Sequence, residues 1–256
     1  MELRTLLDGQ SPVLGVMLSE FENPNIVRIF QQAGFQYLIV DDEHGYFDYS
    51  RVAALIAVAS GHSFPVIVRV PGVSREYITK VLDMGASGIL VPMVDTPEQA
   101  RQVVSYSKYA PVGHRGVSTT RAHTNYAPPP LKEYLQDANR RVLTMIQLET
   151  KQAVSNAASI AQIEGIDALF IGPNDLACDL GIPGEVSNPL VQEAAAQVAE
   201  IGRQAQKPVG IITSNSDLTA FCRNCGFTLF SSGSELDLLL KGAKARVREF
   251  FASQPT

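Results

Sequence analysis

The sequence predicts an α/β protein folded as one modified (β/α)8 barrel. Three observations carry this: eight short apolar runs recur along the chain, helical patterns alternate with them, and the 256 residues match the length of a single barrel of that kind. An open doubly wound sheet would use the same alternation, but eight strands each followed by a helix favour closure. No linker and no internal repeat divides the chain, so residues 1–256 read as one domain.

The runs are Val13–Leu18, Tyr37–Val40, Val66–Val70, Gly88–Val94, Val142–Leu148, Ala168–Ile171, Val209–Thr213 and Thr228–Ser231. They are short and rich in β-branched residues, as strands buried on both faces must be. Between them, Asn25–Ala33, Tyr49–Ser60, Arg75–Met84, Pro97–Tyr109 and Pro189–Gln206 carry apolar residues three and four apart, the spacing of crossover helices. Gly34, Gly85, Gly165 and Gly226 punctuate the returns to strands two, four, six and eight. The stretch Ala110–Pro130, which ends in three prolines, is too long for an ordinary helix-to-strand connection. It is either functional or a surface excursion. The amphipathic segment Leu236–Phe251 closes the chain.

Composition removes several functions. A formal charge of −5 with no large basic cluster argues against nucleic acid and anionic membranes as partners. No apolar run approaches the ~18 residues of a membrane span, and the first residues lack the apolar centre of a signal peptide, which predicts a cytoplasmic protein. Three cysteines form no disulfide framework, and Cys222-x-x-Cys225 falls on a helical pattern without further zinc ligands. There is no Gly-x-Gly-x-x-Gly to bind NAD, and Ser231–Ser234 only faintly resembles a phosphate loop.

A barrel's active site lies at the carboxyl ends of its strands, and five of those ends are polar here. They are Asp41-Asp42-Glu43-His44 after strand two, Arg69 on strand three, Gln147-Leu148-Glu149-Thr150 on strand five, Pro173-Asn174-Asp175 after strand six and Thr213-Ser214-Asn215 after strand seven. Glu149 and Asp175 end neighbouring strands, so they can bring carboxylate oxygens to one point. Oxygen donors without cysteine suit Mg²⁺ or Mn²⁺; the alternative is that each carboxylate caps the next helix. His44, among acids that would hold one ring nitrogen, is a candidate general base, and Arg69 a partner for those acids or an anion clamp. A Schiff-base lysine is not expected, because Lys151 alone lies near a strand end and it starts a helix.

Taken in order, Asp41-x-Glu43-His44, Val91-Pro92-Met93-Val94, His114-Arg115-Gly116-Val117, Gln147-Leu148-Glu149-Thr150 and Gly172-Pro173-Asn174-Asp175-Leu176 span nearly the whole chain. Together they resemble the metal-dependent pyruvate aldolases, a family that includes 4-hydroxy-2-oxoheptanedioate aldolase and 2-dehydro-3-deoxyglucarate aldolase. The resemblance implies reversible cleavage of a 4-hydroxy-2-oxo acid to pyruvate and an aldehyde through an enolate on a divalent metal (Mg²⁺, Mn²⁺ or Co²⁺). It implies Glu149 and Asp175 as metal ligands, His44 as base and Arg69 as the group that stabilises the transition state. Gln147, Pro173, Asn174 and Asp175 would hold the pyruvate moiety. Asp41 and Asp83 would support the histidine, although Asp83, near the end of a helix, belongs to the opposite face of a regular barrel. The resemblance also implies a homohexamer, a trimer of dimers, with the last helix swapped onto a partner. Two departures, Asp42 for a small residue and Met17 where some members carry an aromatic, bear on the aldehyde. The rival readings are oxaloacetate decarboxylation, citrate-lyase-like cleavage of a CoA thioester, and a non-catalytic keto-acid-binding barrel.

Overall fold

The computed structural model describes residues 3–8 and 11–252. The strands are β1 (Val13–Leu18), β2 (Tyr37–Asp41), β3 (Val66–Arg69), β4 (Gly88–Val91), β5 (Leu143–Leu148), β6 (Ala168–Ile171), β7 (Val209–Ile212) and β8 (Leu229–Ser234). They close in sequence order, β8 returning to β1, with every neighbouring pair parallel. The helices are α1 (Leu3–Asp8), α2 (Ile26–Gln32), α3 (Tyr49–Gly61), α4 (Arg75–Asp83), α5 (Pro97–Ser107), α6 (Leu131–Arg141), α7 (Lys151–Ala161), α8 (Pro173–Asp179), α9 (Pro189–Ala205), α10 (Ser216–Asn224) and α11 (Glu235–Ala252). None of the described helices is long and apolar enough to cross a membrane.

All eight expected strands are present, β1 and β6 with the expected bounds and the other six with shifted ends. β4 stops at Val91 instead of reaching Val94, because Met93 adopts φ 53° and takes the chain out of the ladder. β8 runs on to Ser234, so the Ser231–Ser234 segment is largely strand. The four punctuating glycines have φ of 97° (Gly34), 101° (Gly85), 94° (Gly165) and 91° (Gly226), a region that side chains with a Cβ rarely enter. α1 and α8 stand outside the expected helices, and the irregular 110–130 stretch passes under the end of α4. There Arg115 donates to Asp83 at 2.7 Å, and the His123 Nδ1 lies 3.1 Å from the Asp83 carbonyl.

Strand alternation sorts the core into two layers. Val13, Met17, Tyr37, Ile39, Ile67, Leu143, Met145, Ala168, Phe170 and Leu229 point inward and pack as the barrel interior, which Leu3 of α1 plugs from the amino end. Their neighbours, such as Val16, Leu38, Val68, Ile146 and Leu169, point outward against the helices. The interior is filled by pairing large with absent side chains. A Cβ on Gly15 would lie 2.4 Å from the Tyr37 ring, and one on Gly210 would lie 2.6 Å from Phe170. Such contacts admit no methyl group without displacing a ring.

The final helix departs from this scheme. Of α11 only Glu235 is buried, while Leu239, Leu240, Val247, Phe250 and Phe251 are more than half exposed. The expected amphipathic helix therefore forms, but its apolar side is not covered by its own barrel.

Candidate active site at the carboxyl end of the barrel

The same alternation decides which polar residues enter the barrel mouth. Continuing the inward series gives Asp41 after Tyr37 and Ile39, Arg69 after Ile67, Gln147 and Glu149 after Leu143 and Met145, and Gly172 after Ala168 and Phe170. Asp41, Arg69, Gln147 and Glu149 are all buried, so an apolar barrel ends in a polar lid of its own strands.

Arg69 organises one side of this layer. Its Nε and Nη2 donate to the two oxygens of Asp41 at 2.9 and 2.7 Å, a bidentate pair, and its Nη1 lies 3.0 Å from Glu43. The second Nη2 hydrogen reaches only the Met17 sulfur at 3.9 Å. Burial works against the Arg69 charge, but the bonds to Asp41 and the charges of Asp41 and Glu43 outweigh it and raise its pKa. Burial also raises the Glu43 carboxyl, against the lowering effect of Arg69. Asp42 is pushed up to about 6, first by burial and then by the charge of Asp41.

Glu149 organises the other side. Its Oε1 accepts the Met93 amide at 2.7 Å, which the positive φ of Met93 aims at it, and its Oε2 accepts from the Gln147 side chain. Gln147 Oε1 is buried with no hydrogen-bond partner. Burial pushes the Glu149 carboxyl up to about 7; those two hydrogen bonds lower it, and the charges of Glu43 and Asp175 add to the rise. The capping alternative fails for Glu149, since Thr150 caps α7 by accepting from Ala153 at 3.0 Å. Asp175 stands in the first turn of α8, exposed beside Asn174 and behind the buried Pro173 at N1. Asn215, the polar residue after β7, is spent on capping α10 through Leu218.

Two expected partners of His44 are placed elsewhere. Asp41 bonds the backbone amides of Glu43 and His44, at 3.2 and 3.4 Å, while Arg69 takes both its oxygens; it fixes the turn and does not hold the imidazole. The His44 ring is exposed and has no hydrogen bond among the described residues. Asp83 lies at the amino-terminal end of the barrel, paired with Arg115, as expected for a residue that ends a helix running back from the carboxyl face. Within one chain it does not meet His44. Lys151 is exposed, and Lys108 is buried at the amino end against Asp167 at 2.7 Å.

Three further contributors stand in the sequence motifs without the roles that the structure gives them. Glu43 follows from the Ile39-Asp41-Glu43 alternation, and Gly172 from Ala168-Phe170-Gly172. Nothing local announces the left-handed backbone of Met93.

The donor set fits a divalent cation. Glu149 and Asp175 supply hard oxygens close enough for one charge to perturb the other, the neighbouring Gln147 carbonyl oxygen is unpaired, and Gly172 leaves room where a Cβ would lie 2.3 Å from Glu149 Oε2. No group of three or more His, Cys, Asp or Glu side chains that could hold a metal occurs among the described residues, so water or substrate oxygens would complete the shell of such an ion.

With this geometry in place, comparison with known proteins decides the family. The model of the HpcH/HpaI aldolase/citrate lyase family matches residues 15–242. The chain belongs to that family. A 4-hydroxy-2-oxovalerate aldolase of Rhodococcus jostii is 37% identical over 219 residues, 85% of this chain and 84% of that protein. A 4-hydroxy-2-oxo-heptane-1,7-dioate aldolase of Salmonella arizonae is 33% identical over 251 residues, 97% of this chain and 94% of its own. The crystal structure of an HpcH/HpaI aldolase from Desulfitobacterium hafniense superposes with a TM-score of 0.92 at 32% identity, covering 100% of this chain and 98% of that one.

Proposed function

We propose that the protein is a carbon–carbon lyase that reversibly cleaves a 4-hydroxy-2-oxo acid to pyruvate and an aldehyde, with Glu149 and Asp175 holding a divalent cation, Mg²⁺, Mn²⁺ or Co²⁺. The observation that carries this is the inward polar layer of a family member. It places a buried carboxylate fixed at both oxygens, Glu149, opposite a guanidinium fixed by two acids, Arg69. When bound, the cation would act as a Lewis acid on the 2-oxo group, stabilising the charge released as the C3–C4 bond breaks.

The chain's own residues do the rest. His44 takes the C4 hydroxyl proton as the C3–C4 electron pair moves to the enolate of pyruvate and C4 becomes the aldehyde carbon; returning a proton to C3 completes the methyl group. The exposed ring of His44 suits a base that must meet a substrate from outside. Arg69 pairs with Glu43 through Nη1 by charge and not by a hydrogen bond, so its Nη1 hydrogens, together with the one on the weak sulfur contact, are available for the developing oxyanion. The amides of Asn174 and Asp175, in the first turn of α8 and free of intrahelical partners, would take the pyruvate carboxylate, with Pro173 fixing that turn. Gln147, tied to Glu149, lies alongside.

The exposed apolar side of α11 supports a homo-oligomer, which we propose is a trimer of dimers that exchange this helix, and we propose a cytoplasmic location.

The test is proton exchange. Loss of the pyruvate methyl signal in D₂O is expected with Mn²⁺ or Mg²⁺, and its absence is expected without metal and in His44→Ala. A Glu149→Ala variant that retained full metal-dependent turnover would refute the assignment.

A further inference from the structure

The one buried residue of α11 does something no helix start requires. Glu235 is 3% exposed, and its Oε1 accepts the amides of Ser19, Glu20 and Phe21 at 2.9, 2.7 and 3.3 Å, while Oε2 takes a second bond from Ser19 at 3.0 Å. Those three residues follow β1 at the barrel mouth, more than 210 positions away in sequence. Three consecutive amides converging on one buried carboxylate fix the path of that loop.

The clamped loop is in turn a wall for the His44 turn. Gly45 packs so closely that a Cβ there would lie 2.8 Å from the Ser19 carbonyl oxygen and 2.0 Å from that of Asp41. The turn carrying His44 is thus wedged between Asp41, which bonds its amides, and Ser19, which Glu235 holds. On the far side of Gly45, Tyr46 faces the same loop, where the charge of Glu20 raises its phenol. Asp41 fixes the turn from inside the barrel. Glu235 fixes it from outside.

We infer that Glu235 is a positioning residue for the base: by clamping the Ser19–Phe21 loop it sets the location of His44 relative to the bound keto acid. This rests on the proposed role of His44. It also joins the first residue of the helix whose apolar side is uncovered to the loop that borders the chemistry, so movement at the root of α11 reaches the active site.

The role separates from folding and from metal binding. Glu149 follows β5 and Asp175 lies on α8, and among the described residues no hydrogen bond joins either to Glu235, so Glu235→Ala is expected to bind Mn²⁺ within about twofold of the native affinity. Its metal-dependent methyl-proton exchange should fall about tenfold or more through kcat, with the KM for pyruvate little changed, as a misplaced base requires. Glu235→Gln can present one carbonyl oxygen to the same three amides and should restore most of the exchange. Should Glu235→Ala not fold, Glu235→Asp carries the test, since it withdraws the carboxylate by one methylene and must lose exchange with Mn²⁺ affinity kept. Native exchange rates in Glu235→Ala or Glu235→Asp overturn the inference, as does a parallel loss of Mn²⁺ affinity, which would mark general collapse. Absence of exchange in the native protein would instead overturn the functional reading on which it rests.

Discussion

Replacing Gly172 by alanine should disable the site while adding no functional group. The backbone of Gly172 (φ −97°, ψ 91°) is open to any residue, so strain in the main chain is not the issue. The added Cβ would lie 2.3 Å from Glu149 Oε2, 2.9 Å from Gln147 Nε2 and 3.1 Å from Glu149 Cβ. Ordinary contact begins near 3.4 Å, so the carboxylate must retreat by roughly 1 Å. Metal–oxygen distances tolerate about 0.2 Å, and a 1 Å misplacement in a reacting constellation costs about 100-fold. The Mn²⁺ dissociation constant should therefore rise about 100-fold, with a matching loss of pyruvate proton exchange. Stability should fall by only about 1–3 kcal/mol, since the group that yields is the end of a side chain. Mn²⁺ titration followed by electron paramagnetic resonance, alongside thermal unfolding, measures both. Gly61→Ala serves as the control, because a Cβ there meets nothing within 4 Å. Native Mn²⁺ affinity in Gly172→Ala would refute the idea that Glu149 is held by lack of space.

Three further outcomes are expected. Asp41→Asn leaves the buried Arg69 without its bidentate partner and should cost about 3–5 kcal/mol in urea unfolding, with proton exchange abolished even where the variant stays folded. Because burial lifts Glu149 from 4.5 to about 7, metal-free folded protein holds a proton that the unfolded chain has released; this group's contribution is least unfavourable below pH 4.5 and costs stability as pH rises to about 7. Mn²⁺ must displace that proton, so its affinity should fall about tenfold per unit below pH 7, and a pH-independent affinity from pH 5.5 to 8 would contradict it. Leu239→Asp with Phe250→Asp, on the uncovered side of α11, should shift sedimentation velocity toward smaller species without lowering the helical circular dichroism signal.

The barrel was legible because its causes are local. Runs such as Val66–Val70 and glycines such as Gly85 and Gly165 declare strands and returns within a few residues, and the closed order follows from counting them. The site was legible only as far as alternation reaches. Asp41, Arg69, Gln147 and Glu149 continue inward series, so period two points each of them into the mouth. His44 lies past the end of its strand, where the period stops. Its acidic neighbours in sequence, Asp41 and Glu43, turn out to serve Arg69. The Met93 amide and the Glu235 clamp depend on backbone conformation and on chain segments more than 50 and more than 210 residues apart, so no window of sequence contains them.

One guanidinium stands at the barrel mouth among the four carboxyl groups of Asp41, Glu43, Glu149 and Asp175, and two of those pair with it. That imbalance sets a sequence of events. A 4-hydroxy-2-oxo acid arriving first meets a net negative rim, whereas a divalent cation arriving first is drawn in and lowers that repulsion for the substrate that follows. Initial-rate kinetics should accordingly show the cation as the leading, compulsory reactant, and chelation should release substrate and ion together.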